Sequence, residues 1–157
     1  MIATGTILTP HFALSNADQA IGTLPADLCR MPRKHTDLIC WQLSDELRQL
    51  IIKHTAEGTP AARDERFTKN LRDAVSSACR NQSEGFYKYK HRTQRPFFNT
   101  ARGSLGETTD GIEDGRQRGY FSQEIAKQMD SLCGRAMIAN LRWLQSLDRP
   151  DPEEDAN

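Results

Sequence analysis

The sequence predicts an all-α fold, an up-down-up-down antiparallel four-helix bundle with disordered N- and C-terminal tails. Apolar residues recur every three or four positions in four segments, proline and glycine separate these segments, and no segment alternates as a β-strand would. The bundle is expected over residues 36–147. Residues 1–35 lack a periodic pattern and are predicted to be a disordered extension, and residues 148–157 are predicted to be an acidic disordered tail.

The first helix is predicted from Asp37 to Thr55, with Thr36 as its N-cap. Gly58 and Pro60 follow this segment and should end the helix. Its apolar residues recur at steps of three and four, with Ile51 four positions after Leu47, so they share one face. These residues are Cys40, Leu43, Leu47, Leu50 and Ile51.

The second helix is predicted from Arg63 or Asp64 to Glu84. Gly85 should follow its C-cap, because glycine adopts the left-handed conformation without a steric penalty. A basic linker is expected over residues 86–95. The inner face of this helix comprises Phe67, Leu71, Val75, Ala78 and Gln82.

The third helix is predicted to start at Arg95 or Pro96, because proline is tolerated in the first turn of a helix. Gly119 should end it. Internal glycines each weaken a helix by up to about 1 kcal/mol relative to alanine, so this helix should depend on packing against its neighbours. The glycines are Gly103, Gly106, Gly111 and Gly115, and the inner face comprises Phe98, Ala101, Leu105, Thr108 and Ile112.

The fourth helix is predicted from Gln123 to Leu147, with Ser122 as its N-cap. It carries two adjoining apolar stripes, which is more apolar surface than one bundle core requires. The excess is consistent with an oligomer interface. The first stripe comprises Ile125, Met129, Leu132, Ala136, Ala139 and Trp143, and the second comprises Cys133, Met137, Leu141, Leu144 and Leu147.

The composition favours a cytoplasmic protein that does not enter a membrane. No stretch approaches the roughly 18 consecutive apolar residues of a transmembrane helix, and the N-terminus lacks the basic leader of a signal peptide. The four cysteines are widely spaced, without a C-x-x-C pair, and are expected to be reduced. Met31 lies just before the first periodic segment, so we hypothesise that translation naturally begins there.

The sequence contains no pattern typical of an enzyme or of a cofactor site. A di-metal bundle needs Glu-x-x-His on two helices, and no Glu-x-x-His occurs. Patterns for a nucleophile elbow, a P-loop and a dinucleotide-binding loop are also absent. Ser104 follows Gly103, but helix packing explains this pair better than nucleophilic catalysis does. We therefore expect a non-catalytic protein with no metal, no cofactor and no small-molecule substrate.

Charge is unevenly distributed, although the formal net charge is zero. Residues 62–102 hold ten Lys/Arg against four Asp/Glu, whereas residues 103–157 hold six against eleven. In the linker, cations alternate with tyrosines, which suits contact with phosphates and unpaired bases. The alternative, an ordinary solvated loop, stays open at this point. The candidate nucleic-acid-binding residues are Arg80, Lys88, Tyr89, Lys90, Arg92 and Arg95.

Four motifs occur in order along the predicted bundle. They are D-L-x-x-W-Q at residues 37–42, N-x-x-E-G-F at 81–86, F-F-x-x-A-x-G-S-x-x-E at 97–107 and the Gly119-Tyr120 turn. In this order and spacing, the chain resembles the four-helix-bundle proteins encoded in intervening sequences of bacterial 23S rRNA genes. The resemblance covers residues 37–147.

The resemblance implies a closed homo-oligomer, with a pentameric ring as the expected form. A related accessory protein of diversity-generating retroelements forms such a ring and binds a reverse transcriptase and RNA. The partner implied by the resemblance is therefore RNA or an RNA-handling protein. The function expected is that of a non-catalytic RNA-binding or ribonucleoprotein accessory factor, and the alternative is a protein–protein interaction scaffold without nucleic acid.

Four polar residues coincide with the family pattern and are expected to form a structural polar cluster. In an antiparallel pair, the end of the second helix lies near the start of the third. Arg102 would therefore bridge Glu84 or cap carbonyl groups near Asn81. The cluster comprises Asn81, Glu84, Arg102 and Glu107.

The sequence also departs from the family pattern. Pro96 falls where the third helix of the family is already under way, so the contact between the second and third helices is expected to be loose. Polar residues occupy positions that are usually apolar. These are Gln82, Gln94, Arg95, Thr100 and Thr108.

Overall fold

The computed structural model describes residues 32–148, and within this range it contains four α-helices and no β-strand. Short 3-10 helices at His35–Asp37 and Pro60–Arg63 precede the first and second α-helices. The predicted extension before residue 32, the tail after residue 148 and the hypothesised start at Met31 lie outside the described residues. The α-helices are Ile39–His54 (α1), Glu65–Phe86 (α2), His91–Gln117 (α3) and Gln123–Ser146 (α4).

The four α-helices close into a bundle. Each helix packs against the next one along the chain, and α4 packs back against α1. Because the connections between packed neighbours are short, successive helices run in opposite directions. The predicted up-down-up-down antiparallel bundle is therefore confirmed, and all four α-helices lie within residues 36–147.

The core is built from the predicted inner faces of the helices. Every residue assigned to the inner faces of α2 and α3 is buried, including the polar Gln82 and Thr108. Leu47 of α1, Phe98 of α3 and Met129 of α4 are fully buried. The spacing of apolar residues therefore located the core correctly.

Helix α1 begins at residue 39, and the prediction that Thr36 caps it is wrong. Leu38 occupies the cap position, and no side chain caps the helix there. Thr36 lies in the preceding 3-10 helix, where the Asp37 carboxylate accepts hydrogen bonds from the backbone N–H groups of Arg33 and Lys34. Residues 33–35, which were assigned to a disordered extension, therefore form a turn at the start of the bundle.

Gly85 lies inside α2, so its predicted place after the C-cap is wrong. The helix continues to Phe86, and among the described residues only Gly58 and Gly119 are glycines with positive φ. A Cβ atom on Gly85 would lie 2.8 Å from Cε2 of Phe98. Glycine is needed here because α3 approaches α2 too closely for a side chain.

Helix α3 begins at His91, so the predicted late start is wrong. The backbone N–H of Gln94 donates to the carbonyl of Lys90, and its side-chain Nε2 donates to the carbonyl of Lys88 at 3.0 Å. These bonds build the first turn before the chain reaches Pro96. The proline then lies in the second turn, where its missing N–H removes one helical hydrogen bond.

The contact between α2 and α3 is close, so the expectation of a loose contact is also wrong. This pair has the most extensive contact of any two elements in the described range. A Cβ atom on Gly111 would lie 2.8 Å from Cδ1 of Leu71. Pro96 does not disturb this packing, because its ring is exposed.

Helix α4 confirms the predicted Ser122 cap, and the residues of both apolar stripes are buried or half-buried except Leu141. The backbone N–H of Ile125 donates to Oγ of Ser122 at 3.3 Å. Leu141 of the second stripe remains 37% exposed, and the neighbouring Ile138 is 54% exposed. Helix α4 thus keeps an apolar strip that does not pack in the core.

None of the described helices has the length and apolarity needed to cross a membrane.

Candidate nucleic-acid interface

The predicted basic linker lies at one end of the bundle, which we call the turn end and define as residues 33–37, 86–95 and 143–148. Only residues 87–90 separate α2 from α3. A hydrogen bond of 3.0 Å joins Nδ1 of His35 and Oη of Tyr87, and an ion pair joins Arg95 and Asp148. A tight turn therefore lies between two other segments of the chain.

Two tyrosines of this turn are exposed. The exposed fractions are 63% for Tyr87 and 76% for Tyr89. The Tyr87 ring lies edge-on to His35 at 5.6 Å and to Phe86 at 5.2 Å between centroids. Its position is fixed by these neighbours while much of the ring stays accessible. An unpaired base can stack on such a ring, and little ordering of the ring is needed.

Lys90 and Arg92 are the cations most available to an anion. Both side chains are exposed, and in the described part of the chain neither forms an ion pair. Their full charge therefore faces solvent at the turn end.

Lys88 and Arg95 already have partners. Nζ of Lys88 lies 3.3 Å from Oε1 of Glu84 and 4.8 Å from the centroid of the Phe97 ring. The Arg95 guanidinium pairs with Asp148, although both side chains remain largely exposed. An incoming phosphate would compete with Glu84 for Lys88 and with Asp148 for Arg95.

Arg80 is separated from the other candidate residues. It lies on α2 seven residues before Tyr87, which is about 10 Å along the helix axis. Its exposed side chain lines the groove between α2 and α3. The structure therefore brings five of the six candidates together at the turn end and leaves Arg80 outside it.

The four residues of the predicted polar cluster are not joined to one another by any described contact. Nδ2 of Asn81 donates to the carbonyl of Ser77 at 2.8 Å, and Ser77 in turn accepts a hydrogen bond of 2.9 Å from Oγ of Ser104. Glu84 pairs with Lys88, not with Arg102. Asn81 thus supports the α2–α3 contact through two serines. Arg102 and Glu107 have exposed side chains.

A buried polar connection near the turn end was missed by sequence reasoning. Nε2 of Gln82 donates to Oδ1 of Asn140 at 3.2 Å, and Nδ2 of Asn140 donates to the carbonyl of Phe98 at 2.9 Å. Both amides are fully buried, so these bonds tie α2, α3 and α4 together. The sequence feature that could have revealed this contact is the position of Asn140, a polar residue between the two apolar stripes of α4.

A groove of about 1020 Å³ runs between α2 and α3. Its charged side chains are mixed in sign. At one end Arg118 lies 2.8 Å from Asp114 and 3.3 Å from Asp64, so its charge is compensated within the protein.

Among the described residues, no group of three or more His, Cys, Asp or Glu side chains could hold a metal ion.

The buried cysteines are poorly suited to act as nucleophiles. Burial raises the pKa of the Cys40 thiol to about 12 and that of Cys79 to about 11. Burial also raises the pKa of Cys133. The reactive thiolate form is therefore scarce near neutral pH at all three positions.

A comparison with the curated proteins found no match. The family model described as 23S rRNA-intervening sequence protein matches residues 36–139. The match includes α1, α2, α3 and most of α4, and therefore the whole turn between α2 and α3. The chain belongs to the family of 23S rRNA-intervening sequence proteins.

Proposed function

We propose that this protein is a non-catalytic, cytoplasmic accessory factor that binds single-stranded RNA at the turn end of its bundle. The observation that carries the proposal is the combination of Lys90 and Arg92 with two exposed tyrosines on and beside one short turn. Exposed cations neutralise phosphates, and accessible aromatic rings stack on bases that are not already paired.

Single-stranded RNA suits this surface better than a duplex. In an RNA helix the bases stack on one another, so Tyr87 and Tyr89 would find no unpaired base to contact. A loop or single strand offers bases and phosphates alternately, as the turn alternates tyrosine with lysine. We therefore propose that the protein binds single-stranded RNA in preference to duplex RNA, with little dependence on base sequence.

We further propose that the protein acts as a homo-oligomer, with a pentamer as the form expected from its family resemblance. Ile138 and Leu141 supply an exposed apolar strip on α4. On the same helix a Cβ atom on Gly134 would meet nothing within 4 Å, so another chain can approach this surface closely. Several copies of the turn end in one assembly would strengthen weak RNA contacts by avidity.

The second candidate function is a protein–protein interaction scaffold that acts without nucleic acid. The same apolar strip supports it, because exposed apolar side chains also suit a different protein as partner. Light scattering coupled to size exclusion, run with and without nuclease, separates the two. RNA that is lost together with a partner after nuclease treatment supports the first proposal. A protein partner that stays bound, with no RNA retained by the untreated sample, supports the second.

The direct test is binding of fluorescein-labelled oligo-uridine, followed by anisotropy at several salt concentrations. In the double variant Lys90→Ala/Arg92→Ala, we expect weaker binding. The slope of the logarithm of the binding constant against the logarithm of the salt concentration should also be smaller in magnitude by about 1.4, because each lost phosphate contact on a single strand changes this slope by about 0.7. The matched control is Lys53→Ala/Lys127→Ala, which removes two exposed cations at the opposite end of the bundle. Equal effects of the two double variants, or no effect of either, would overturn the proposal.

A further inference from the structure

A second pair of cations lies beside the α2–α3 turn, outside the basic linker. Arg33 and Lys34 immediately precede His35, which contacts Tyr87 across a sequence separation of 52 residues. The His35 ring also lies edge-on to the Trp41 ring, with 5.0 Å between centroids. These contacts attach the segment to both α1 and the turn.

The backbone of this segment is held in place by Asp37. Oδ2 of Asp37 accepts hydrogen bonds from the N–H of Arg33 at 2.9 Å and of Lys34 at 3.1 Å. The bond from Arg33 is the main cause of a pKa of Asp37 below the ordinary value for a carboxyl. The carboxylate thus persists at neutral pH and keeps the segment in one conformation.

The side chains of Arg33 and Lys34 remain exposed while their backbone is fixed. In the described range, neither forms an ion pair. The Asp37 carboxylate is the acidic group that this segment faces, and two backbone N–H groups already occupy one of its oxygens. Cations attached to a fixed backbone bind an anion with a smaller loss of conformational entropy.

We propose that Arg33 and Lys34 form the second half of the RNA-binding surface, with Tyr87 between the two halves. This inference rests on the proposed function and extends it to a segment that the linker does not include. One half is Lys90 and Arg92 on the turn and first residues of α3, and the other is the segment before α1. A single strand that crosses the turn end would place phosphates on both halves and a base on the Tyr87 ring.

The proposed surface is formed by two segments that are distant in the sequence. Residues 33–34 and 90–92 are far apart in the chain, and the His35–Tyr87 hydrogen bond brings the two segments together. A strand bound to both therefore bridges the start of α1 and the start of α3. RNA binding should accordingly stabilise the contact between these segments.

The test is the double variant Arg33→Ala/Lys34→Ala, measured with fluorescein-labelled oligo-uridine over a salt series. We expect weaker binding with a slope smaller by about 1.4, equal to the change from Lys90→Ala/Arg92→Ala. Both substituted side chains are exposed, so the thermal midpoint should not change. The control variant remains Lys53→Ala/Lys127→Ala.

A second variant tests the positioning role of the turn. Tyr87→Phe keeps the ring but removes the hydroxyl that bonds to His35. We expect a smaller loss of affinity than for Arg33→Ala/Lys34→Ala, together with an unchanged salt slope, because no charge is removed. A hydroxyl without a positioning role would leave the affinity of Tyr87→Phe equal to that of the wild type.

The outcomes separate this inference from the proposed function. If Lys90→Ala/Arg92→Ala weakens binding and Arg33→Ala/Lys34→Ala does not, the second half of the surface is refuted and the proposed function stands. If the wild-type protein does not bind oligo-uridine at all, both are refuted. Weaker binding and a smaller slope in both Lys90→Ala/Arg92→Ala and Arg33→Ala/Lys34→Ala, with no change in the control variant, support both.

Discussion

The two ends of the bundle use the same residue types in opposite ways. At the end where α1 leads to α2 and α3 to α4, Asp64 accepts hydrogen bonds from Tyr120 at 3.1 Å and from Arg118 at 3.3 Å. At the turn end, Lys90 and Arg92 face solvent without a described ion pair. Arg118 and Tyr120 are therefore held by a carboxylate at one end, whereas Lys90 and Arg92 are available for binding at the other.

Aromatic rings show the same contrast. Phe67 packs against Tyr120 and Phe121, with 5.0 and 5.9 Å between centroids. These rings cover the core where α2 begins and α3 ends. Tyr87 and Tyr89 are the most exposed large hydrophobic side chains in the described range. The difference indicates that charge and aromatic content alone do not identify a binding surface, and that the exposure of the side chains must also be considered.

The largest expected effect is on the core beneath the turn end. Phe98→Ala should lower the free energy of unfolding by about 3–5 kcal/mol, because it removes a fully buried ring that packs against Trp143. Chemical denaturation followed by circular dichroism measures the change. A loss below about 1 kcal/mol would show that the turn end does not depend on this packing.

The second prediction concerns the opposite end. Gly115→Ala should destabilise the fold by about 1–3 kcal/mol, because its Cβ atom would lie 2.5 Å from Cε2 of Phe121 and 2.8 Å from Cζ of Phe67. The matched control is Gly103→Ala in the same helix, where a Cβ atom meets nothing within 4 Å. This control should stabilise α3 by up to about 1 kcal/mol. Equal effects of the two changes would contradict the close packing of Phe67 and Phe121 against Gly115.

The third prediction isolates the charge of Asp64. Its pKa lies below the ordinary carboxyl value, chiefly because the carboxylate accepts a hydrogen bond from the N–H of Phe67. The charged form therefore stabilises the fold above the unfolded-state pKa of about 3.9, and this contribution is lost as pH falls through the lower folded-state pKa.

Asp64→Asn tests this linkage, because asparagine retains the capacity to cap α2. The variant should unfold at a lower temperature than the wild type at pH 7, and the difference should shrink as pH falls below about 3.9. Thermal melts of both proteins over a pH series measure it. A difference that stays constant with pH would show that the charge is not the cause.

The smallest expected effect is at Asp148, which pairs with Arg95 at the turn end. Asp148→Asn should release Arg95 and raise the affinity for oligo-uridine slightly, with a salt slope larger by up to about 0.7. Exposed ion pairs contribute about 0–1 kcal/mol, so the thermal midpoint should hardly move. Unchanged affinity would indicate that Arg95 does not contact RNA.

Much of the fold was predictable because it depends on local periodicity. The buried lines of α2 and α3 followed from apolar spacing, and Ser122 was identified as a cap from its position before a periodic segment. The start of α3 was not predictable in this way. Lys88 and Gln94 form a bond across the short turn before Pro96, and the spacing of apolar residues does not indicate this local contact.

The candidate site was predictable only in part, because some of its contacts join residues that are distant in the sequence. Cations and tyrosines of the turn are consecutive in sequence, so composition revealed them. The contact of His35 with Tyr87 and the buried bond between Gln82 and Asn140 join residues more than 50 positions apart. No local pattern encodes such pairs. Arg80 is basic, which made it a candidate, but its side chain lines the groove between α2 and α3.

The most direct test of the contrast between the two ends is ultraviolet cross-linking of the wild-type protein to oligo-uridine, mapped by mass spectrometry. We predict cross-links at Tyr87 and Tyr89, and none at Tyr120, which is bonded to Asp64 at the opposite end. Cross-links at Tyr120 without any at the turn would contradict the assignment of RNA binding to the turn end.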